Sequence, residues 1–138
     1  MTHDINIHHE DNHESASSYL VEEIRNLLVN SNRDFSIGLS GGNTPKLTYS
    51  MMAEKLDDLS KTFLWTIDDR WIEEDNELSN QRMINEYFER TEANILKFEF
   101  TSSSPESDAK KYEDKLKSTI QIFDVAILGM GEDGHVAS

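Results

Sequence analysis

Apolar positions follow two rhythms along this chain. Short, nearly continuous apolar runs occur at Phe35 to Leu39, Phe63 to Ile67, Ile95 to Phe100 and Phe123 to Leu128. Their length and continuity predict buried strands of a parallel sheet. Between them the apolar residues return at helical spacing. Ala16, Leu20, Ile24, Leu27 and Leu28 stripe a helix from Ser15 to Asn30, closed by Asn30-Ser31-Asn32. Leu47, Met51, Leu56 and Leu59 stripe a second helix. Met83, Ile84, Tyr87 and Phe88 face inward on a third, Leu78 to Arg90, with Ser79 or Asn80 near its cap. Ala109, Tyr112, Leu116 and Ile120 mark a fourth, with Ser104 as N-cap and Pro105 at the first helical position. Ile5 and Ile7 alternate with polar residues, as in a short edge strand. The order is helix, then strand–helix three times, then strand. That order predicts a single α/β domain with a mostly parallel sheet and helices on both faces.

Three polar motifs interrupt the rhythm, each just after a strand, where open α/β sheets place their ligands. The first is Ser40-Gly41-Gly42-Asn43-Thr44-Pro45. Glycine N–H groups, a helix dipole, Thr44 as N-cap and the hydroxyls of Ser40 and Thr44 together form an anion cradle. An ordinary strand-to-helix turn would have the same composition. It is not a Walker A loop, because the Gly-Lys-Ser/Thr ending is missing. The second is Asp68-Asp69-Arg70-Trp71. There Asp68 can move a proton and Arg70 can fork onto a phosphate or carboxylate, although a surface ion pair would read the same way.

The third motif is Gly129-Met130-Gly131-Glu132-Asp133-Gly134-His135. A histidine beside carboxylates at a strand mouth suits a general base. The G-x-G-x-x-G spacing also fits the dinucleotide fingerprint. However, no chain follows for the required helix and distant acid, and Glu132 and Asp133 would repel a pyrophosphate.

Charge and composition narrow the partners. Twenty-seven acids against thirteen bases give a net charge of -14, which argues against nucleic acid or an anionic membrane. No apolar run approaches membrane-spanning length and the N-terminus lacks signal-peptide features. There is no cysteine, hence no disulfide or thiol chemistry, which suits a cytoplasmic location. His3, His8, His9 and His13 lie in an acidic N-terminal segment with no metal-ligand spacing, and read as a solvated arm. No oligomeric state is encoded in these patterns.

Taken in this order, the three motifs resemble those of the 6-phosphogluconolactonase and glucosamine-6-phosphate deaminase superfamily. Ser40 to Pro45 is similar to its sugar-phosphate loop. Asp68 to Trp71 with the later Ser79-Asn80 is similar to the lactonase Asp-Glu-Arg segment with its Ser-Asn, and Gly129 to Ser138 is similar to the catalytic loop. Deaminases carry Asp-Glu-Tyr at the second motif and Ile-Ala-Phe-Asn-Glu-Pro after the histidine. Asp68-Asp69-Arg70 and Val136-Ala137-Ser138 resemble the lactonase branch instead.

The resemblance implies a Rossmann-like α/β/α sandwich of the sugar-phosphate isomerase type. Residues 1–138 would form its N-terminal part, because the family continues beyond this loop. It implies hydrolysis of 6-phospho-D-glucono-1,5-lactone in the pentose phosphate pathway, with no metal or organic cofactor. His135 would be the base, with Asp133 to orient it and a less defined role for Asp68. Ser40, Gly41, Gly42, Thr44 and Arg70 would hold the phosphate. The other readings are a deaminase/isomerase and a non-catalytic sugar-phosphate-binding fragment.

Overall fold

The computed structural model describes residues 3–137. Eight elements alternate as the apolar rhythm predicts: α1 (His13–Val29), β1 (Phe35–Leu39), α2 (Lys46–Lys55), β2 (Thr62–Thr66), α3 (Asn80–Phe88), β3 (Asn94–Leu96), α4 (Pro105–Thr119) and β4 (Val125–Ile127). The four strands form one sheet in the order β3-β2-β1-β4. Every pairing is parallel, with Ile37 opposite Leu64 and Val125, and Leu64 opposite Ile95. The chain steps outward from β1 to β3, then returns across the sheet to β4. Right-handed crossovers therefore place α2 and α3 on one face and α4 on the other.

The core lies on the first face. Ile37, Leu39 and Leu64 of the sheet pack with Val21 and Ile24 of α1, Tyr49 and Met52 of α2, and Ile84 and Phe88 of α3. On the opposite face Trp65 lies across Gly38, where a Cβ would come within 2.5 Å of the indole. Its far side stacks on Phe123, ring centroids 4.4 Å apart. Gly38 is thus the gap that lets a tryptophan lie flat on a central strand.

Several local expectations shift, each for a packing reason. On α1 the predicted Ile24 is buried and Leu20 and Leu28 pack partly against the core, while Ser17 and Val21 join the buried face in place of Ala16 and Leu27, which face outward. Asn12, not Ser15, starts this helix, its side chain accepting the Ser15 N–H at 2.8 Å. Leu56 and Leu59 are buried, but they follow the end of α2 and fill the core from the connection. Ile5 and Ile7 are 86% and 91% exposed and form no strand. The arm is nevertheless anchored, since the His8 ring stacks on Tyr19 with centroids 3.5 Å apart.

β3 stops at Leu96 because Phe98 and Phe100 leave the strand to meet Tyr112 and Trp71 edge-on. Beyond that end the Tyr112 hydroxyl replaces a strand neighbour. It accepts the Thr66 N–H at 2.9 Å and donates to the Thr66 carbonyl at 3.0 Å. The predicted buried strand at Phe123–Leu128 shortens to an edge strand, with Ala126 exposed and Phe123 and Leu128 more than half exposed. Its start is fixed from β1: Asp124 accepts the Ser36 N–H at 2.9 Å and pairs with Arg33. No described helix is long and apolar enough to cross a membrane.

Asp108, buried in the first turn of α4, ties that helix to the second motif. It accepts the Thr101 N–H and hydroxyl and, at 3.0 Å, the Trp71 indole N–H. These donors, the Thr101 backbone first, hold its carboxyl down from the ordinary 3.8 to about 2. A depressed carboxyl adds stability above its ordinary range, and the gain is lost as pH falls toward the folded value. Asp108→Asn is therefore expected to lower stability at pH 7 and to flatten the acid limb between pH 3.8 and about 2. Urea midpoints across that range check this; parallel wild-type and variant curves would contradict it.

Candidate active site

The three motifs meet at one end of the sheet. β1 runs into Ser40, β2 ends two residues before Asp68, and β4 opens into the Gly129–His135 loop. Ser40, Gly41, Gly42, Thr44, Asp68, Arg70 and His135 all line one open cleft of about 320 Å³, together with Asn80, Gly129, Met130 and Gly131. A smaller cleft of about 180 Å³ lies at the strands' N-terminal end, beside Arg33, Ser36, Phe63 and Ile122. The larger one stands where parallel sheets place chemistry and contains every motif.

The first wall is the glycine turn. Gly42 has φ of 88°, a conformation that side chains resist. Gly41 is glycine for a different reason: a Cβ there would lie 2.0 Å from Asn80 Oδ1. Ser40 is 5% exposed, and its Oγ is buried without a hydrogen-bond partner among the described residues. A buried unpartnered hydroxyl is costly, and a ligand oxygen in the cleft would satisfy it. Thr44 is exposed and is not the helix cap. Pro45 occupies that position, with no side-chain cap bond, so the start of α2 is left without one.

Tyr49, wholly buried, donates to the Ser40 carbonyl at 2.7 Å and holds the turn against α2. Burial pushes this phenol up to about 12 despite that bond, so it stays a neutral donor. Tyr49→Phe is expected to cost about 1–3 kcal/mol of folding stability by leaving a buried carbonyl unpaired. It should also weaken anion binding at the turn. Denaturant melts and a phosphate titration check both; unchanged values would show that the contact is incidental.

The second wall is built around the start of α3. Asp69 is not turned to the cleft for chemistry; its carboxylate accepts the N–H groups of Arg70, Asn80 and Gln81 at 2.8 to 2.9 Å. With Ser79 accepting the Arg82 N–H, the helix start is fully capped. Arg70 Nη1 donates to Asn80 Oδ1 at 2.9 Å and to the Leu78 carbonyl at 3.2 Å. The Asp68 carbonyl accepts the Thr66 hydroxyl and the Asn80 amide.

The third wall is a tight hairpin. Met130 and Val136 form an antiparallel bridge, and the Gly131 N–H donates to the His135 carbonyl at 2.8 Å. Gly134, at φ 82°, makes the turn. The dinucleotide geometry is absent, because a hairpin and not a helix follows the strand among the described residues. Asp133, expected to orient the His135 ring, instead accepts the His135 backbone N–H at 3.0 Å. It fixes the loop rather than the imidazole, because neighbours two apart in a turn meet through the backbone. His135 is exposed at the cleft. Among the described residues no group of three or more His, Cys, Asp or Glu could hold a metal.

Asn80, Tyr49 and Asp69 were not singled out from the sequence as site residues. Asp69 stood inside the second motif without a role, and the pairing of Ser79-Asn80 with that motif pointed to Asn80.

Comparison with known proteins places the chain in a family. The family described as glucosamine-6-phosphate isomerases/6-phosphogluconolactonase matches residues 8–138. A 6-phosphogluconolactonase of Synechocystis sp. is 37% identical over 75% of this chain and 48% of its own length. One from Thermotoga maritima is 37% identical over 87% of this chain and 57% of its own. The crystal structure of a 6-phosphogluconolactonase from Shewanella baltica superposes with a TM-score of 0.84 at 28% identity, covering 94% of this chain and 58% of that one. The chain thus spans about half the length of these relatives. The match runs through all three walls of the cleft, and the chain belongs to the glucosamine-6-phosphate isomerase/6-phosphogluconolactonase family.

Proposed function

We propose that this protein acts as a 6-phosphogluconolactonase, hydrolysing 6-phospho-D-glucono-1,5-lactone to 6-phosphogluconate in the cytoplasm. The observation that carries the reading is the convergence of a glycine anion turn, Arg70 and His135 on one cleft. The names of the relatives and the lactonase-like Asp68-Asp69-Arg70 and Val136-Ala137-Ser138 support the lactonase branch over the deaminases.

In this mechanism the phosphate rests on the N–H groups of Gly41 and Gly42, the hydroxyls of Ser40 and Thr44, and Arg70. The sugar ring then extends toward the β4 loop. His135 takes a proton from water as the water oxygen attacks C1. The C1–ring-oxygen bond breaks, and the proton passes to the departing ring oxygen. The new carboxylic acid releases its proton to solvent, which balances lactone plus water against 6-phosphogluconate and one proton. The lactone carbonyl is already electrophilic, so one base and a fixed substrate suffice. Asp133 contributes by holding the loop, and Asp68 lines the cleft beside the ring.

The test is hydrolysis of freshly prepared lactone, corrected for its spontaneous rate. It is run with the 138-residue chain and with the chain fused to the C-terminal portion of the Thermotoga maritima relative. Lactone turnover with no release of ammonia from glucosamine 6-phosphate is the expected result. Ammonia release would transfer the chain to the deaminase branch, and no turnover in either form would favour a binding module.

A further inference from the structure

We infer that Asn80 is a positioning residue that sets which edge of Arg70 meets the substrate phosphate. This deepens the proposed function and rests on its phosphate site. Asn80 is 5% exposed and stands between the glycine turn and Arg70. Its Oδ1 accepts from Arg70 Nη1 at 2.9 Å, its Nδ2 donates to the Asp68 carbonyl at 2.9 Å, and its backbone N–H is held by Asp69 at 2.8 Å. Apart from the arginine, the Asp68 carbonyl thus holds the Asn80 side chain and Asp69 holds its backbone. Arg70 Nη1 has a second acceptor in the Leu78 carbonyl at 3.2 Å.

Those two bonds occupy one terminal nitrogen of the guanidinium. Nε and Nη2 have no hydrogen-bond partner among the described residues, and Arg70 lines the cleft. Nε and Nη2 form one side of the planar fork, with two parallel N–H vectors that match two oxygens of a phosphate. Anchoring Nη1 therefore presents the Nε–Nη2 edge.

Gly41 completes the device. A Cβ there would fall 2.0 Å from Asn80 Oδ1 and 2.3 Å from its Cγ. The glycine turn and the arginine anchor are thus in direct contact, and Asn80 fixes the spacing between the two halves of the clamp. Ordering a long side chain costs about 0.5–1.5 kcal/mol, or about two- to tenfold in affinity, and an arginine held beforehand avoids that cost on binding.

The experiment titrates inorganic phosphate into the ¹⁵N-labelled 138-residue chain at low salt and follows the Gly41 and Gly42 amides and the Arg70 Nε–H. In the wild type both sets should shift with one Kd. Asn80→Ala should weaken that Kd about two- to tenfold. Gly41→Ala strains no backbone, since Gly41 has no positive φ, but its methyl must displace the Asn80 amide. It should therefore weaken binding in the wild type and add little in the Asn80→Ala background. An unchanged Kd in Asn80→Ala, or fully additive effects of the two substitutions, would overturn the inference. If Asn80→Ala does not fold, the wild-type Nε–H response and the single Gly41→Ala variant decide. Glycine amides that shift while Nε–H stays still would refute the role of Asn80 alone. Silence at both would remove the phosphate site itself.

Discussion

Replacing His135 with alanine is expected to lower kcat for lactone hydrolysis by about 10²–10⁴-fold, the usual contribution of a general base. KM should change little, because the base acts on water in the transition state and the phosphate is held elsewhere. The structure explains why the group is placed by its loop. The Gly131–His135 and Met130–Val136 contacts close the hairpin, and Asp133 holds the His135 backbone N–H. The ring projects from a fixed backbone at the cleft lined also by Arg70. Asp133→Ala should accordingly cost less than loss of the imidazole, since it loosens the loop without removing the base. Steady-state rates with fresh lactone measure both. A His135→Ala protein with wild-type kcat would take His135 out of the chemistry.

The second large effect is expected at Arg70. Arg70→Lys keeps the charge but loses the planar fork, and a lost charge-assisted bond costs about 1.5–3 kcal/mol. That corresponds to about a ten- to 150-fold weaker hold on the phosphate. The loss should appear in KM and in the Kd for 6-phosphogluconate. Lysine can donate to Asn80 or to the ligand, but its single nitrogen cannot reproduce the arrangement in which Nη1 is anchored and the opposite edge stays open. An unchanged KM would reduce Arg70 to a structural contact of the α3 start.

Much of this site was legible from residues alone because its chemistry is local. A glycine turn before a helix, an arginine after a strand and a histidine in a glycine loop each carry their meaning within a few positions. Parallel topology then carries them to one end of the sheet, so convergence followed from the strand–helix alternation. What stayed hidden depends on approach between distant segments. Gly41 reads as a flexible turn residue, but its reason is the Asn80 amide. Asp69 stands in the second motif with no role legible from its neighbours, and its carboxylate caps α3. Tyr49 lies outside the predicted apolar stripe of its helix, and its hydroxyl donates to the Ser40 carbonyl.

The fold shows the same division. β1 follows its apolar run residue for residue, because a central strand is buried on both faces. The outer strands do not. Phe98 and Phe100 satisfy their apolar surface against Tyr112 and Trp71 outside the sheet. Ala126 and Leu128 lie on an edge where periodicity cannot foretell burial. The burial of Ser17 and Val21 in place of Ala16 and Leu27 on α1 is also tertiary, since both pairs sit at helical spacing from the shared Ile24.

The central claim is that one cleft at the C-terminal ends of the strands binds the sugar phosphate. The most direct measurement is a titration of the 138-residue chain with 6-phosphogluconate, followed through backbone amide and histidine ring shifts. Saturable shifts at Gly41, Gly42, Thr44 and His135, with quiet residues around Arg33, Phe63 and Ile122 at the other end of the sheet, are the predicted result. Shifts confined to that opposite cleft, or none at the glycine turn, would contradict it.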